Sequence, residues 1–166
     1  MPVLTLGYRC CDRKRPLYLK HSEVEGYAVL TRQQLGCADA DAIPLATLRD
    51  ISGLKINGIE FALAVSTEHQ VHDESGNPVC GICEYDPGVP DTAMVSVSPA
   101  EETFGEALVL STLAHELGHA VFDAPHWIVE ASKGPGLFDA IDPSARRAYR
   151  TITQDVDHLG RVAPAA

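Results

Sequence analysis

Residues 111–127 read STLAHELGHAVFDAPHW, and the centre of that run, His115-Glu116-Leu117-Gly118-His119, decides how the rest of the chain is understood. Leu113, Leu117, Ala120 and Val121 recur at the three- and four-residue spacing of a largely buried helix. On a helix, residues four apart sit one turn above each other, so His115 and His119 bring two imidazoles to one face. That is half of a metal site. Zinc in a hydrolase takes three protein ligands and leaves a fourth position for water, whose pKa it brings towards neutrality. Glu116, beside the first histidine, is the candidate general base for that water. The competing reading is two histidines on an ordinary amphipathic helix. The long apolar run around the five-residue pattern favours the metal.

Upstream, Leu108 and Phe104 extend the apolar face back towards Ser98-Pro99-Ala100-Glu101. A capping serine, a proline at the first helical position and a glutamate able to reach back predict a helix start there. Pro125 predicts its end. Before this helix the period changes to two. Ile59, Phe61, Leu63 and Val65 alternate with Glu60, Ala62, Ala64 and Ser66, directly after the hairpin signal Asn57-Gly58. Further strands are expected at residues 79–85 and 94–97, and an edge strand at 1–8. Ser22 and Glu25 have capping-box spacing for a first helix that stops at Gly36, and Leu45, Leu48 and Ile51 predict a short second one. Beyond Pro125, residues 127–131 are expected to form a helical turn. Asp142-Pro143 opens an expected last helix with a stripe of Ala145, Ala148, Tyr149, Ile152, Val156 and Leu159. The sum is one α+β domain over residues 1–166, a small, mainly antiparallel sheet packed on helices.

The third ligand is left open. His126 follows His119 by seven residues, one more than in the extended three-histidine metal pattern, whose glycine is also missing. Glu130 is the next acid, and Asp155 and His158 lie three apart on the expected last helix. His126 and Tyr149 are candidates to steady an oxyanion. Cys80-Gly81-Ile82-Cys83, with His69 and His72 upstream, is a second constellation to weigh for metal, against a hairpin that carries thiols.

Charge narrows the partners. The net charge is −10, and no Lys or Arg occurs between Lys55 and Lys133, an interval with thirteen acidic residues and five of the seven histidines. Such a field gathers cations and basic partners and repels nucleic acid phosphate. Arg13-Lys14-Arg15 is expected to be a solvated loop. The first residues lack the charge order of a secretory signal, and no stretch reaches the length of a membrane span. Five cysteines, an odd number, point to reduced thiols in a cytoplasm.

The run AMVSVSP at 93–99, a helix, and then STLAHELGHAVF at 111–122 resemble the ImmA/IrrE family of zinc-dependent endopeptidases, in which a strand precedes a helix reading close to TLAHELGH. The resemblance implies a zincin-like fold in which His115 and His119 bind Zn2+, with Mn2+ as another divalent candidate, and Glu116 acts as base. It also implies a cytoplasmic protease acting on a basic helix-turn-helix repressor of stress-response or mobile-element genes, with no direct nucleic acid contact and no membrane. The family's third ligand is a glutamate on a later helix, commonly followed by Ala-Asn and a Phe-Ala pair. No such segment follows His119 here. The expectation is therefore a ligand helix beyond Ala166 in a longer protein, a substitute among Glu130, Asp155 and His158, or a degenerate site. In the last case the chain is a zincin-like binding module that docks a basic protein without cutting it.

Overall fold

Asn57 and Gly58 take positive φ, 50° and 81°, as a two-residue type I′ turn requires. They join β2 (Gly53–Ile56) to β3 (Ile59–Ser66). The Asn57 side chain also accepts the Tyr8 backbone N–H at 2.7 Å, which ties the turn to the N-terminal segment. β3 buries Phe61 and Leu63 and exposes the residues between them, the alternation read from sequence. These elements belong to a computed structural model that describes residues 2–100, 105–133 and the backbone of a strand at 147–151.

Among the described residues the sheet around the hairpin has seven strands in the order β1-β2-β3-β6-β5-β4, with β7 also paired to β5. β1 is Val3–Leu6, β4 Val71–His72, β5 Pro78–Tyr85, β6 Thr92–Val97 and β7 Arg147–Thr151. Two pairings are parallel, β1 with β2 and β3 with β6, and the other four are antiparallel. The parallel pairs arise because each is joined by a crossover. Between β1 and β2 the chain passes through α1 (His21–Gln34) and α2 (Leu45–Arg49), and between β3 and β6 it builds β4 and β5.

Two helix starts differ from expectation. α1 begins after Lys20, whose backbone N–H donates to Glu23 Oε2 at 2.7 Å. That contact and the Arg9 guanidinium beside it at 3.0 Å hold the Glu23 carboxyl below its ordinary pKa, the backbone donor being the larger cause. Ser22 therefore lies inside the helix rather than at its cap. At the other end Gly36 has φ 71°, and the N–H groups of Gly36 and Cys37 reach back to the carbonyls of Gln33 and Arg32, a Schellman closure.

The second difference concerns the helix of the HELGH run. α3 is Glu106–Phe122 with Gly105 at its cap, and residues 98–100 are not helical. Ser98 is occupied elsewhere. Its hydroxyl donates to the Val79 carbonyl at 2.8 Å and accepts the Val71 N–H at 2.9 Å and the Gln70 amide at 2.8 Å. It thus seals β4 against β5, a long-range use that no local capping pattern reveals. α4 (Ala124–Ser132) starts with Pro125 in its first turn, and the break from α3 falls before that proline.

α3 lies across β5 and β6. Leu54, Ile56, Val95, Val97 and Leu113 are essentially sealed from solvent between helix and sheet; a fully buried aliphatic side chain of this kind contributes about 1.5–3 kcal/mol of transfer free energy. The approach is closest at Gly81. A Cβ there would stand 2.7 Å from Thr112 Cγ2, 3.1 Å from Glu116 Cγ and 3.2 Å from the Ser96 carbonyl. The glycine of the Cys-x-x-Cys stretch is thus a packing requirement.

The expected last helix is also corrected. Residues 147–151 form β7, antiparallel to β5. Helical spacing was the weaker influence, because a sheet edge with unpaired backbone groups is a strong template for an adjacent segment. The remainder of that expected helix, with Asp155 and His158, lies outside the described residues.

Gly81→Ala is expected to lower stability by about 1–3 kcal/mol, the usual range for overpacking, read as a lower urea midpoint. An unchanged midpoint would show that α3 moves away from β5 at little cost.

Candidate metal centre

α3 carries Glu116 inward and His115 outward, one residue and about 100° apart around the helix. His115 is exposed, His119 half-buried, and Glu116 0% exposed. The two imidazoles close on each other as the four-residue spacing requires. Their ring centroids are 4.9 Å apart and their Nε2 atoms 3.2 Å apart.

That separation tests the fit to zinc. Two nitrogens bound to one tetrahedral zinc lie about 3.3–3.4 Å apart, given bond lengths of about 2.0–2.1 Å. The observed distance is within a few tenths of an ångström of this, on one helix face, so the pair fits the first two positions.

Asp123, four residues after His119, holds that ring from one turn on. Its Oδ2 is 2.6 Å from His119 Nδ1. A carboxylate accepts only, so Nδ1 carries the hydrogen and Nε2 keeps its lone pair towards His115. The same hydrogen bond raises the His119 pKa, outweighing a partial desolvation that acts the other way. Carboxylates in this position fix the tautomer and orientation of a metal-binding histidine. Asp123 escaped the sequence reading; its signal was the i,i+4 spacing from His119, which places it one turn on.

Tyr8 buttresses the same end of α3. Its hydroxyl donates to the Val121 carbonyl at 2.7 Å, and its ring stands 5.0 Å from Phe122. Burial first, with Cys10 and Asp123 nearby, raises the phenol pKa, so the group remains a donor.

The third-ligand candidates on α4 point elsewhere. His126 Nδ1 is 2.9 Å from the Arg13 carbonyl and its Nε2 is 3.0 Å from the Arg15 guanidinium. Since the carbonyl only accepts, Nδ1–H donates to it and Nε2 accepts from Arg15. Both ring nitrogens are committed. Glu130 pairs with Arg13 at 3.7 Å and Lys133 at 3.5 Å. The Arg13-Lys14-Arg15 segment is therefore docked on α4 rather than simply solvated. Among the described residues no third His, Cys, Asp or Glu joins His115 and His119 in a metal-sized group. Tyr149 is in β7, opposite Ile82.

The second constellation does not converge either. Cys83 is in the core, where burial first and then the nearby Glu116 raise its thiol pKa, while Cys80 is half-buried. Residues three apart on a strand face opposite sides. His69 and His72 line a groove of about 380 Å³ with Ser66, Asp73, Ile82 and Glu84, on the sheet face away from α3. No disulfide joins any of the five cysteines.

Comparison with protein-family models, with curated proteins and with solved structures gives no match. Among the described residues no helix is long and apolar enough to cross a membrane.

Asp123→Ala is expected to weaken zinc binding by about 10–100-fold, the usual effect of removing such a partner, measured by competition with a chromophoric chelator. An affinity equal to that of the unmodified chain would show that the Asp123 contact does not support a metal.

Proposed function

We propose that the chain is a zinc-dependent endopeptidase of zincin type, akin to the ImmA/IrrE endopeptidases, acting on a basic protein of the helix-turn-helix repressor class in the cytoplasm. The observation that carries this reading is the meeting of two imidazole nitrogens at 3.2 Å on one helix turn, with His119 held by Asp123. His115 and His119 are the residues to hold the ion. Zinc in such a site supplies Lewis acidity and ionises water near neutral pH.

This chain's own groups do the rest. Asp123 keeps the His119 lone pair aimed. Glu116 accepts a proton from the attacking water and delivers it to the leaving amine nitrogen. The stretch between Lys55 and Lys133, with thirteen acidic residues and no Lys or Arg, draws a basic substrate and repels nucleic acid phosphate. Manganese is the alternative ion.

One observation favours a second reading, a binding module that docks the basic protein without cutting it. Glu116 is wholly buried, whereas a general base must reach the proton it takes.

The two readings separate on metal content and on one substitution. Purified full chain is expected to carry stoichiometric zinc by elemental mass spectrometry and to cut a basic repressor protein. Glu116→Gln is expected to keep the zinc and slow cleavage by about 10²–10⁴-fold, the usual worth of a general base. Absence of both stoichiometric zinc and stoichiometric manganese, or cleavage undiminished in Glu116→Gln, would sink the peptidase reading; capture of the basic protein without any cleavage would establish the binding module.

A further inference from the structure

Thr112 stands one turn before Glu116 on α3, and both side chains descend on the sheet at Gly81. Thr112 is 1% exposed. Its hydroxyl is sealed from solvent and makes no hydrogen bond among the described residues. A threonine inside a helix usually turns its hydroxyl back to the carbonyl four residues earlier, here that of Leu108. That carbonyl already accepts the Ser111 hydroxyl at 3.1 Å, besides the helical N–H of Thr112. Its two lone pairs are taken.

Valine has the same shape without the polar atom, and a buried hydroxyl left without a partner is costly. Threonine at this position therefore calls for an acceptor, and the packing limits the choice. Thr112 Cγ2 and Glu116 Cγ stand 2.7 Å and 3.1 Å from a single point, the place of a Cβ on Gly81, and the Ser96 carbonyl is 3.2 Å from it. Rotation about the Thr112 Cα–Cβ bond carries Oγ1 to the side its methyl now takes, and threonine divides between two such orientations in a helix. The two acceptors bordering that side are the Ser96 carbonyl and the Glu116 carboxylate, and the charged one makes the stronger hydrogen bond. Cys83 also lies close enough to feel the Glu116 charge, but a thiol is a weak donor.

We propose that Thr112 is the positioning residue for Glu116, its hydroxyl donating to one carboxylate oxygen. A donor on one oxygen fixes the plane of the carboxylate and leaves the other oxygen for water. The absent side chain at Gly81 is what lets the two groups meet. That the held carboxylate serves as a base rests on the peptidase reading; the pairing of the two side chains does not.

The test uses the full chain and two measurements. In the first, urea midpoints are compared for the unmodified chain, Thr112→Val, Glu116→Leu and the double variant. Thr112→Val is expected to lower the midpoint where Glu116 is present, and to raise it or leave it unchanged in the Glu116→Leu chain, where the hydroxyl has lost its acceptor. An equal effect in both backgrounds overturns the proposal; if that effect is a loss, the hydroxyl belongs to the Ser96 carbonyl. Should Glu116→Leu fail to fold, Glu116→Gln takes its place, with a smaller coupling because a neutral amide oxygen accepts more weakly.

In the second, cleavage of fluorescein-labelled protamine, an unfolded arginine-rich protein, is followed with the zinc-loaded chain. Thr112→Val is expected to lower kcat about tenfold or more, the worth of a hydrogen bond to a charged group, with KM and zinc content unchanged. Thr112→Ser, which keeps the hydroxyl, is expected to restore kcat. A loss in both variants, or in neither, overturns the positioning role. A chain that does not cut the probe yet shows the coupling in urea leaves the Thr112 and Glu116 pair standing and counts against the peptidase reading alone.

Discussion

The contact that sets the geometry of the whole site is the approach of α3 to β5 at Gly81. A helix and a sheet normally keep side chains between them. Here one residue has none, and Thr112 and Glu116 descend to within 2.7 Å and 3.1 Å of where a Cβ would be. Helical spacing then dictates the rest. If Glu116 faces the sheet, His115 must face away from it and His119 must stand over His115, one turn along. The position of the histidine pair relative to the β5 edge is thus fixed by a missing methyl group on the strand.

The end of α3 is secured by quite different forces. Tyr8 donates to the Val121 carbonyl, one of the last carbonyls of a helix, which otherwise lacks a partner within it. Asp123 caps the same turn in another sense, by gripping His119. Next to them Arg13 and Arg15 use the polar groups of α4, His126 and Glu130. These ion pairs are partly exposed and each contributes little to stability. Their effect is on identity: the basic N-terminal loop consumes the two α4 side chains that spacing alone had offered as metal ligands. The acidic stretch between Lys55 and Lys133 is thereby partly matched by cations from outside it.

Local signals were legible where local physics decides. Asn57-Gly58 forms the turn its left-handed backbone allows, the alternation through Ile59 to Val65 produces a strand buried on one side, and α3 ends just before Pro125, which sits in the first turn of α4. The four-residue spacing of His115 and His119 is realised as a convergence of their rings. Ser98 misled because its hydroxyl found partners on β4 and β5. Those partners lie 27 and 19 residues away, beyond any capping pattern. Residues 147–151 misled for the same reason on a larger scale, since an apolar stripe of helical period says nothing about an open strand edge elsewhere in the fold. Asp123 was readable in principle by its spacing from His119, but an acid after a helix has many ordinary uses.

The burial of Glu116 is the point on which the two readings of the site divide. A carboxylate is expensive to desolvate, and a protein that seals one between two candidate metal ligands must either use it as structure or open to use it as a base. The gap at Gly81 accommodates the Glu116 side chain against β5, which serves the first use. The histidine pair on the same helix, with His119 held by Asp123, serves the second. The pairing of β5 with β6 and β7 sets the sheet against which that carboxylate is packed.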